Sequence, residues 1–453
     1  MYAALSDAVA DLPRAAFRPL RRLGATLTLA AVLAAALVVP ASATRIQKVT
    51  SPAGIEAWLV EEHAVPLIAV QFAFLGGSTQ DPAGKEGATD LLSTLLDEGA
   101  GDLTSEEFQA KLDDLSVQVG FHDGRDRFEG EMKTLSESRD AAFDLLALAL
   151  NAPRFDGEAV ERMRAQSIAA RRRADKDPDS IAGRLFSRTV FPDHPYGRAA
   201  DGNEASIAKV TVDDLKALKS KIFTRKGLKV AVVGDIDAAT LAPLLDRVFG
   251  KLPAEGKLAP VAEVAPKSAG RVRETAPIPQ AVVRFGGPGL KRDDPDFVAA
   301  YVMNHILGGG GFSSWLYREV RETKGLAYSV STGLAPMMHS GLFIGSVGTR
   351  ADKVEESLAI IRGEIDRMRD EGPSETELKE AKAYLTGSYP LRFDTSDKIA
   401  GSLLAIQVDD LGIDYIDKRN SLIEAVTIDD IRRVAKRLFA DAPTVVTVGP
   451  KAE

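Results

Sequence analysis

The stretch Val210-Thr211-Val212-Asp213-Asp214-Leu215 recurs as Val426-Thr427-Ile428-Asp429-Asp430-Ile431. Each copy opens a helix, and each helix leads into an apolar strand ending in glycine, at Gly234 and Gly449. A second pair of matches, Ser180-Ile181-Ala182-Gly183 and Lys398-Ile399-Ala400-Gly401, keeps nearly the same register. The offsets are 216, 215 and 218 residues. Separate matches at one spacing are the signature of a duplicated unit of roughly 200 residues. Between the copies, Lys251 to Gly270 holds three Pro, three Gly or Ser and no usable hydrophobic period, so it reads as a linker.

Outward from the repeat, Ile55–Val60 and Leu67–Phe74 read as strands. Gly87–Asp97 and Thr104–Leu115 read as helices, and Val117–Met132 as a hairpin around Asp123-Gly124. Helices follow over Arg139–Asn151, Gly157–Asp175, Ser180–Val190, Val212–Phe223 and Ala238–Phe249, with the strand Lys229–Val233 among them. Strands grouped together and helices grouped together indicate an α+β fold with mainly antiparallel sheets. The expected architecture is two tandem duplicated domains, residues 44–250 and 271–453, joined by the extended linker 251–270.

Composition is that of an ordinary globular chain, 45% hydrophobic and 27% charged, with a net charge of −8. The acidic balance argues against a nucleic-acid partner. The absence of cysteine excludes disulfides, thiolate metal sites and cysteine nucleophiles. Arg14, Arg18, Arg21 and Arg22 precede the apolar run Leu23–Val39, which Ala41-Ser42-Ala43 closes. This pattern predicts a secretory signal peptide over residues 1–43 and a periplasmic destination, the alternative being a retained N-terminal anchor. Beyond it, no run is long and apolar enough to span a membrane.

Leu307 to Ser331, LGGGGFSSWLYREVRETKGLAYSVS, reads as a glycine turn, a helix over Phe312–Thr323 and a strand from Leu326. Arg321 and Tyr328 lie seven positions apart across the helix-to-strand turn. A guanidinium fork and a phenol held there suit a peptide carbonyl or carboxylate. The plain structural alternative is a surface ion pair for Arg321 and sheet-edge packing for Tyr328. The sequence Arg-x-x-x-Gly-Leu-Ala-Tyr after Leu-Gly-Gly-Gly resembles the substrate-clamping half of the pitrilysin/insulinase family of zinc peptidases. The resemblance covers nearly all of the chain beyond the leader. It implies substrate binding by Arg321 and Tyr328, with Gly308, Gly309, Gly310 and Gly311 letting a peptide approach the backbone.

The same resemblance implies a zinc motif His-x-x-Glu-His on the first long helix. Here those positions are Asp90, Ser93 and Thr94. Thr is a poor zinc ligand and Ser93 is no general base. The region for the third ligand, Arg162–Ala174, contains no Asp or Glu. The five histidines, His63, His122, His194, His305 and His339, share no ligand spacing. The chain itself is therefore expected to hold no metal. Some members of the family divide the work between two chains, and this one has the pattern of the non-zinc subunit. The resemblance then implies a heterodimer with a zinc-bearing subunit, peptide substrates and zinc in the partner only. The alternatives are an inactive scaffold or assembly protein, or a periplasmic peptide-binding protein acting alone.

Overall fold

The computed structural model describes residues 45–451. The signal peptide expected over residues 1–43 lies outside them. The first half builds a six-stranded sheet from β1 (Gln47–Thr50), β2 (Glu56–Glu61), β3 (Leu67–Leu75), β4 (Gln118–Asp123), β5 (Arg127–Leu135) and β6 (Lys229–Gly234). Its order is β1-β2-β6-β3-β5-β4. The second half builds a five-stranded sheet from β7 (Arg271–Thr275), β8 (Gln280–Pro288), β9 (Ala327–Pro336), β10 (Gly341–Arg350) and β11 (Thr444–Gly449). Its order is β7-β11-β8-β10-β9. Without β1 the two orders coincide strand for strand. Each sheet has a single parallel pair within this shared set, β2 with β6 and β7 with β11. The fold is α+β with a duplicated, mainly antiparallel design.

The duplication extends to side chains. Phe72 of β3 lies opposite Gly130 of β5, and a methyl on Gly130 would sit 2.2 Å from the Phe72 ring. Phe285 of β8 lies opposite Gly345 of β10, again with 2.2 Å to the ring. In both sheets an aromatic ring covers a glycine on the next strand, which only a residue without Cβ permits.

The central strands of each sheet are buried on both faces, and the two faces are lined differently. Along β3, Ile68, Val70, Phe72 and Phe74 join the core formed with the first half's own helices, among them Arg139–Asn151 and Ala238–Phe249. The alternate residues Ala69 and Ala73, with Ala231 and Val233 of β6, face Ala400, Leu403, Leu404 and Ile406. Those four belong to the helix Ser396–Val408 of the second half. The helix Pro178–Val190 of the first half returns the arrangement. Its Ala182, Leu185, Phe186 and Val190 cover Val446 and Val448 of β11 and Leu342 of β10. The exchanged helices carry the sequence repeat at residues 180–183 and 398–401.

Polar contacts fix the exchange. Buried Gln407 donates to the Val230 carbonyl at 2.9 Å, Lys133 pairs with Asp397 at 2.6 Å, and Arg284 pairs with Asp179 at 3.1 Å. At the seam, the Tyr196 hydroxyl lies 2.6 Å from Asp126 Oδ2 and accepts from the His339 backbone N–H at 3.0 Å.

Several expected elements differ. The helix expected over Gly87–Asp97 spans only Ala88–Ser93. The Ser93 hydroxyl donates to the Asp90 carbonyl and that of Thr94 to the Leu91 carbonyl. Hydroxyls that hydrogen-bond nearby carbonyls compete with the helical ladder. The helix Ser105–Asp114 is capped by Thr104 with Glu107 in a full capping box. Residues 255–270 carry neither helix nor strand, but they are not a free spacer. Gln80 exchanges two hydrogen bonds with the Ala259 backbone, and Val264 N–H donates to the His339 carbonyl.

The exchange makes a direct prediction. Leu403 is fully buried against the first sheet while belonging to the second half. Leu403→Ala is expected to cost about 2–5 kcal/mol, the usual range for a core leucine truncation. Urea unfolding followed by far-UV and tryptophan signals should still give one transition, shifted to lower denaturant. Two separated transitions would show that the halves unfold independently.

Candidate functional site

Arg321 sits in a wide, π-type helical stretch, Tyr317–Thr323, that follows a 3₁₀ turn at Gly311–Ser313. A regular helix over Phe312–Thr323 is not formed. Leu316 and Val320 are fully buried as their spacing predicts, but Phe312 is 74% exposed rather than part of that face. Trp315 anchors the segment: its indole N–H donates to Glu377 at 2.7 Å, and Arg367 lies 3.9 Å from the ring centroid. The anchor matters because it fixes where Arg321 emerges.

Tyr328 lies on β9, the edge strand of its sheet, and is 81% exposed. The structure brings the two residues together. The Arg321 guanidinium carbon is 4.7 Å from the Tyr328 ring and 4.7 Å from the Tyr317 ring, with Phe312 at 5.9 Å. Phe312 and Tyr317 pack edge to face at 4.8 Å. The carboxylate contacts nearby belong to Arg318, which lies 3.8 Å from Glu319 and 3.9 Å from Glu377. Among the described residues Arg321 has no carboxylate partner. Rings beside a guanidinium hold it by cation–π attraction and leave its N–H edge open for an oxygen ligand. The surface ion pair is thus absent, and Tyr328 is displayed rather than packed. Sequence reading had Arg321 and Tyr328 but not Tyr317, whose position four residues before Arg321 was the available signal.

The glycines behave otherwise than a simple turn requires. Gly308 and Gly309 belong to a second π-type stretch, His305–Gly309, and only Gly311 has positive φ, at +60°. A methyl on Gly308 would lie 2.5 Å from Thr332 Oγ1, and one on Gly309 would lie 2.4 Å from Asn304 Nδ2. These two are glycine because the helix end packs tightly against β9 and Asn304. Gly311 is exposed, and a methyl there would meet nothing within 4 Å.

The positions of the zinc motif hold no metal chemistry. The Ser93 and Thr94 hydroxyls are bonded to helix carbonyls, as above. Asp90 and Asp123 are pushed up by burial, Asp123 to about 7, with Asp90 and Asp81 adding to the second. The charge of Arg171 opposes the rise at both. Arg171 lies on the helix Gly157–Ala174, within the region of the missing third ligand, and pairs with Asp201. A guanidinium therefore supplies the positive charge among these carboxylates. Neither the donor set nor this charge fits a zinc ion. Asp81, pushed up to about 6 by burial, accepts from the Gly87 and Thr89 backbone N–H groups and holds the start of the short helix.

The histidines are engaged singly. His63 contacts Asp235 at 2.7 Å, His339 contacts Glu263 at 3.1 Å, and His194 uses both ring nitrogens on the backbone of Tyr196 and Ala262. His305 stacks on Tyr384 at 5.0 Å, and burial lowers its pKa. Among the described residues no group of three or more His, Cys, Asp or Glu is placed to hold a metal ion.

The buried carboxylates set a pH dependence. The pKa of Asp123 is raised on folding, so its contribution to stability is full below about pH 4 and is lost as pH rises through about 7. Asp123→Asn removes that loss. The variant is expected to gain on the order of 2 kcal/mol over the parent at pH 8 and nothing at pH 4, read by urea melts at both. An equal difference at both pH values would contradict it.

Comparison with known proteins follows the same lines. Residues 209–385 match the family model described as the peptidase M16 inactive domain. A Helicobacter pylori protein named non-peptidase homolog YmxG is 29% identical over 342 residues, 74% of this chain and 78% of its own. A Streptomyces coelicolor protein named an uncharacterized zinc protease is 28% identical, over 89% of this chain and 90% of its own. Among solved structures, the peptidase M16 inactive domain from Pseudomonas fluorescens superposes with a TM-score of 0.84 at 27% identity. It covers 90% of this chain and 99% of that one.

Proposed function

Because the chain belongs to the pitrilysin/M16 family and carries its inactive domain, we propose that it is the non-zinc, substrate-binding subunit of a two-chain zinc peptidase that cleaves peptides in the periplasm. The observation that carries this reading is the pair Arg321–Tyr328. The Arg321 guanidinium is held among aromatic rings, Tyr328 is exposed, and neither serves the core. β9 is an edge strand, and Tyr328, Ser329 and Ser331 are exposed along it, so an extended peptide meets strand and guanidinium together. Gly311 leaves that approach unobstructed. In this reading the partner supplies zinc and its hydrolytic chemistry, and this chain supplies grip and register.

A second reading, an inactive scaffold that kept the fold, has one observation in its favour: a relative of similar length is named a non-peptidase homolog. The two readings part at Arg321 and Tyr328. For a substrate-binding subunit, Arg321→Ala should lower the single-turnover rate of the two-chain complex tens- to over a hundredfold. Tyr328→Phe should lower it a few- to about tenfold, since a charged hydrogen bond is worth more than a neutral one. Melting temperatures should stay near the parent's. Unchanged rates with normal assembly would leave the scaffold reading in place.

A further inference from the structure

The second half holds a cavity of about 520 Å³ between β9, the helix Phe297–Asn304, the exchanged helix Ser396–Val408 and the helix Tyr415–Glu424. Neither Arg321 nor Tyr328 lines it. Three guanidiniums and one carboxylate do: Arg292, Arg392, Arg419 and Asp409. The arginines are set against rings. Arg292 lies 4.4 Å from the Phe297 centroid and donates to the Tyr415 hydroxyl at 2.8 Å. Arg419, 6% exposed, lies 4.0 Å from the Tyr389 centroid and donates through Nη1 to the Leu385 carbonyl at 3.1 Å. Arg392 is exposed at the cavity wall, 3.5 Å from the Tyr301 hydroxyl.

Charge balance gives the first clue. Of the three arginines Asp409 answers Arg292 alone, at 3.4 Å, and it also faces Arg127 outside the cavity. The cavity therefore keeps a positive excess among apolar walls, which favours an anion with an apolar body. The second clue is Asn304. It is 8% exposed and lines the cavity. Its Nδ2 donates to the Thr332 carbonyl at 3.3 Å, but its Oδ1 has no hydrogen-bond partner. A buried acceptor without a donor costs free energy unless a ligand supplies the N–H.

We propose that this cavity binds the C-terminal residue of a peptide. Its α-carboxylate is taken by Arg292 and Arg392, its amide N–H by Asn304 Oδ1, and its apolar or aromatic side chain by the Phe297 and Tyr301 walls. A carboxylate, a neighbouring N–H and an apolar side chain are what the last residue of a peptide presents, and an internal residue lacks the first. The site needs no zinc-bearing partner, so it stands or falls apart from the proposed pairing.

Isothermal titration of the purified mature chain tests it. The probes are N-acetyl-leucyl-phenylalanine, its C-terminal amide, and two decapeptides carrying Leu-Phe either at the C-terminus or in the middle. The free acid and the decapeptide ending in Leu-Phe are expected to bind, with the amide and the internal sequence at least tenfold weaker. Arg392→Gln should weaken the acid about tenfold without moving the melting temperature, since the side chain is exposed. Equal binding of acid and amide, no binding of either at millimolar concentration, or an Arg392→Gln variant that binds as the parent does would overturn the assignment.

Discussion

The structure depends on one reciprocal contact: each sheet is closed on its outer face by a helix from the other half. The first sheet presents Ala69, Ala73 and Ala231 to that helix, small residues that let Leu403 and Leu404 approach closely. The second sheet presents Val446 and Val448 to Phe186 and Leu185. A sheet with both faces apolar must have both covered, because exposed apolar strands are an association hazard. Removing either exchanged helix would expose an apolar face in the opposite half. The exchanged helix Ser396–Val408 lines one side of the 520 Å³ cavity while β9 lines another.

The missing zinc site shows the same economy of side chains. Ser93 and Thr94 are tied to carbonyls of the short helix they terminate. Asp90 and Asp123 share a partly desolvated space with Arg171. Where a divalent cation would organise carboxylates, a fixed monocation offsets only part of the cost of their burial. Restoring His at two positions would leave that guanidinium in place and the third ligand still absent.

The duplication was fully legible in sequence, because N-cap threonines, acidic first turns and terminal glycines are local signals at a fixed spacing. The exchange was not. Residues 180–183 and 398–401 mark the exchanged helices, but periodicity says which face is apolar and never which sheet it meets. The pairing of Phe72 with Gly130 and of Phe285 with Gly345 was hidden for the same reason, since cross-strand register is a long-range fact. At the site, Arg321 and Tyr328 were legible through a motif. The aromatic support from Tyr317 and the exposure of Phe312 were not, because the chain there departs from 3.6-residue geometry into a wider turn. Arg171 escaped notice because a basic residue on an exposed-looking helix carries no sign of the carboxylates it faces. Asn304 and Arg419 escaped it because a lone polar residue in an apolar helix reads as a satisfied core group.

In the proposed function this chain grips peptides for a catalytic centre that another chain provides. The most direct measurement compares peptide cleavage by purified residues 44–453, by an M16-family chain with an intact His-x-x-Glu-His motif from the same genome, and by their mixture. The account predicts cleavage well above either chain alone only in the mixture, abolished by a chelator. Chelator-sensitive cleavage by this chain alone, or a mixture no faster than the zinc-bearing chain by itself, would contradict it.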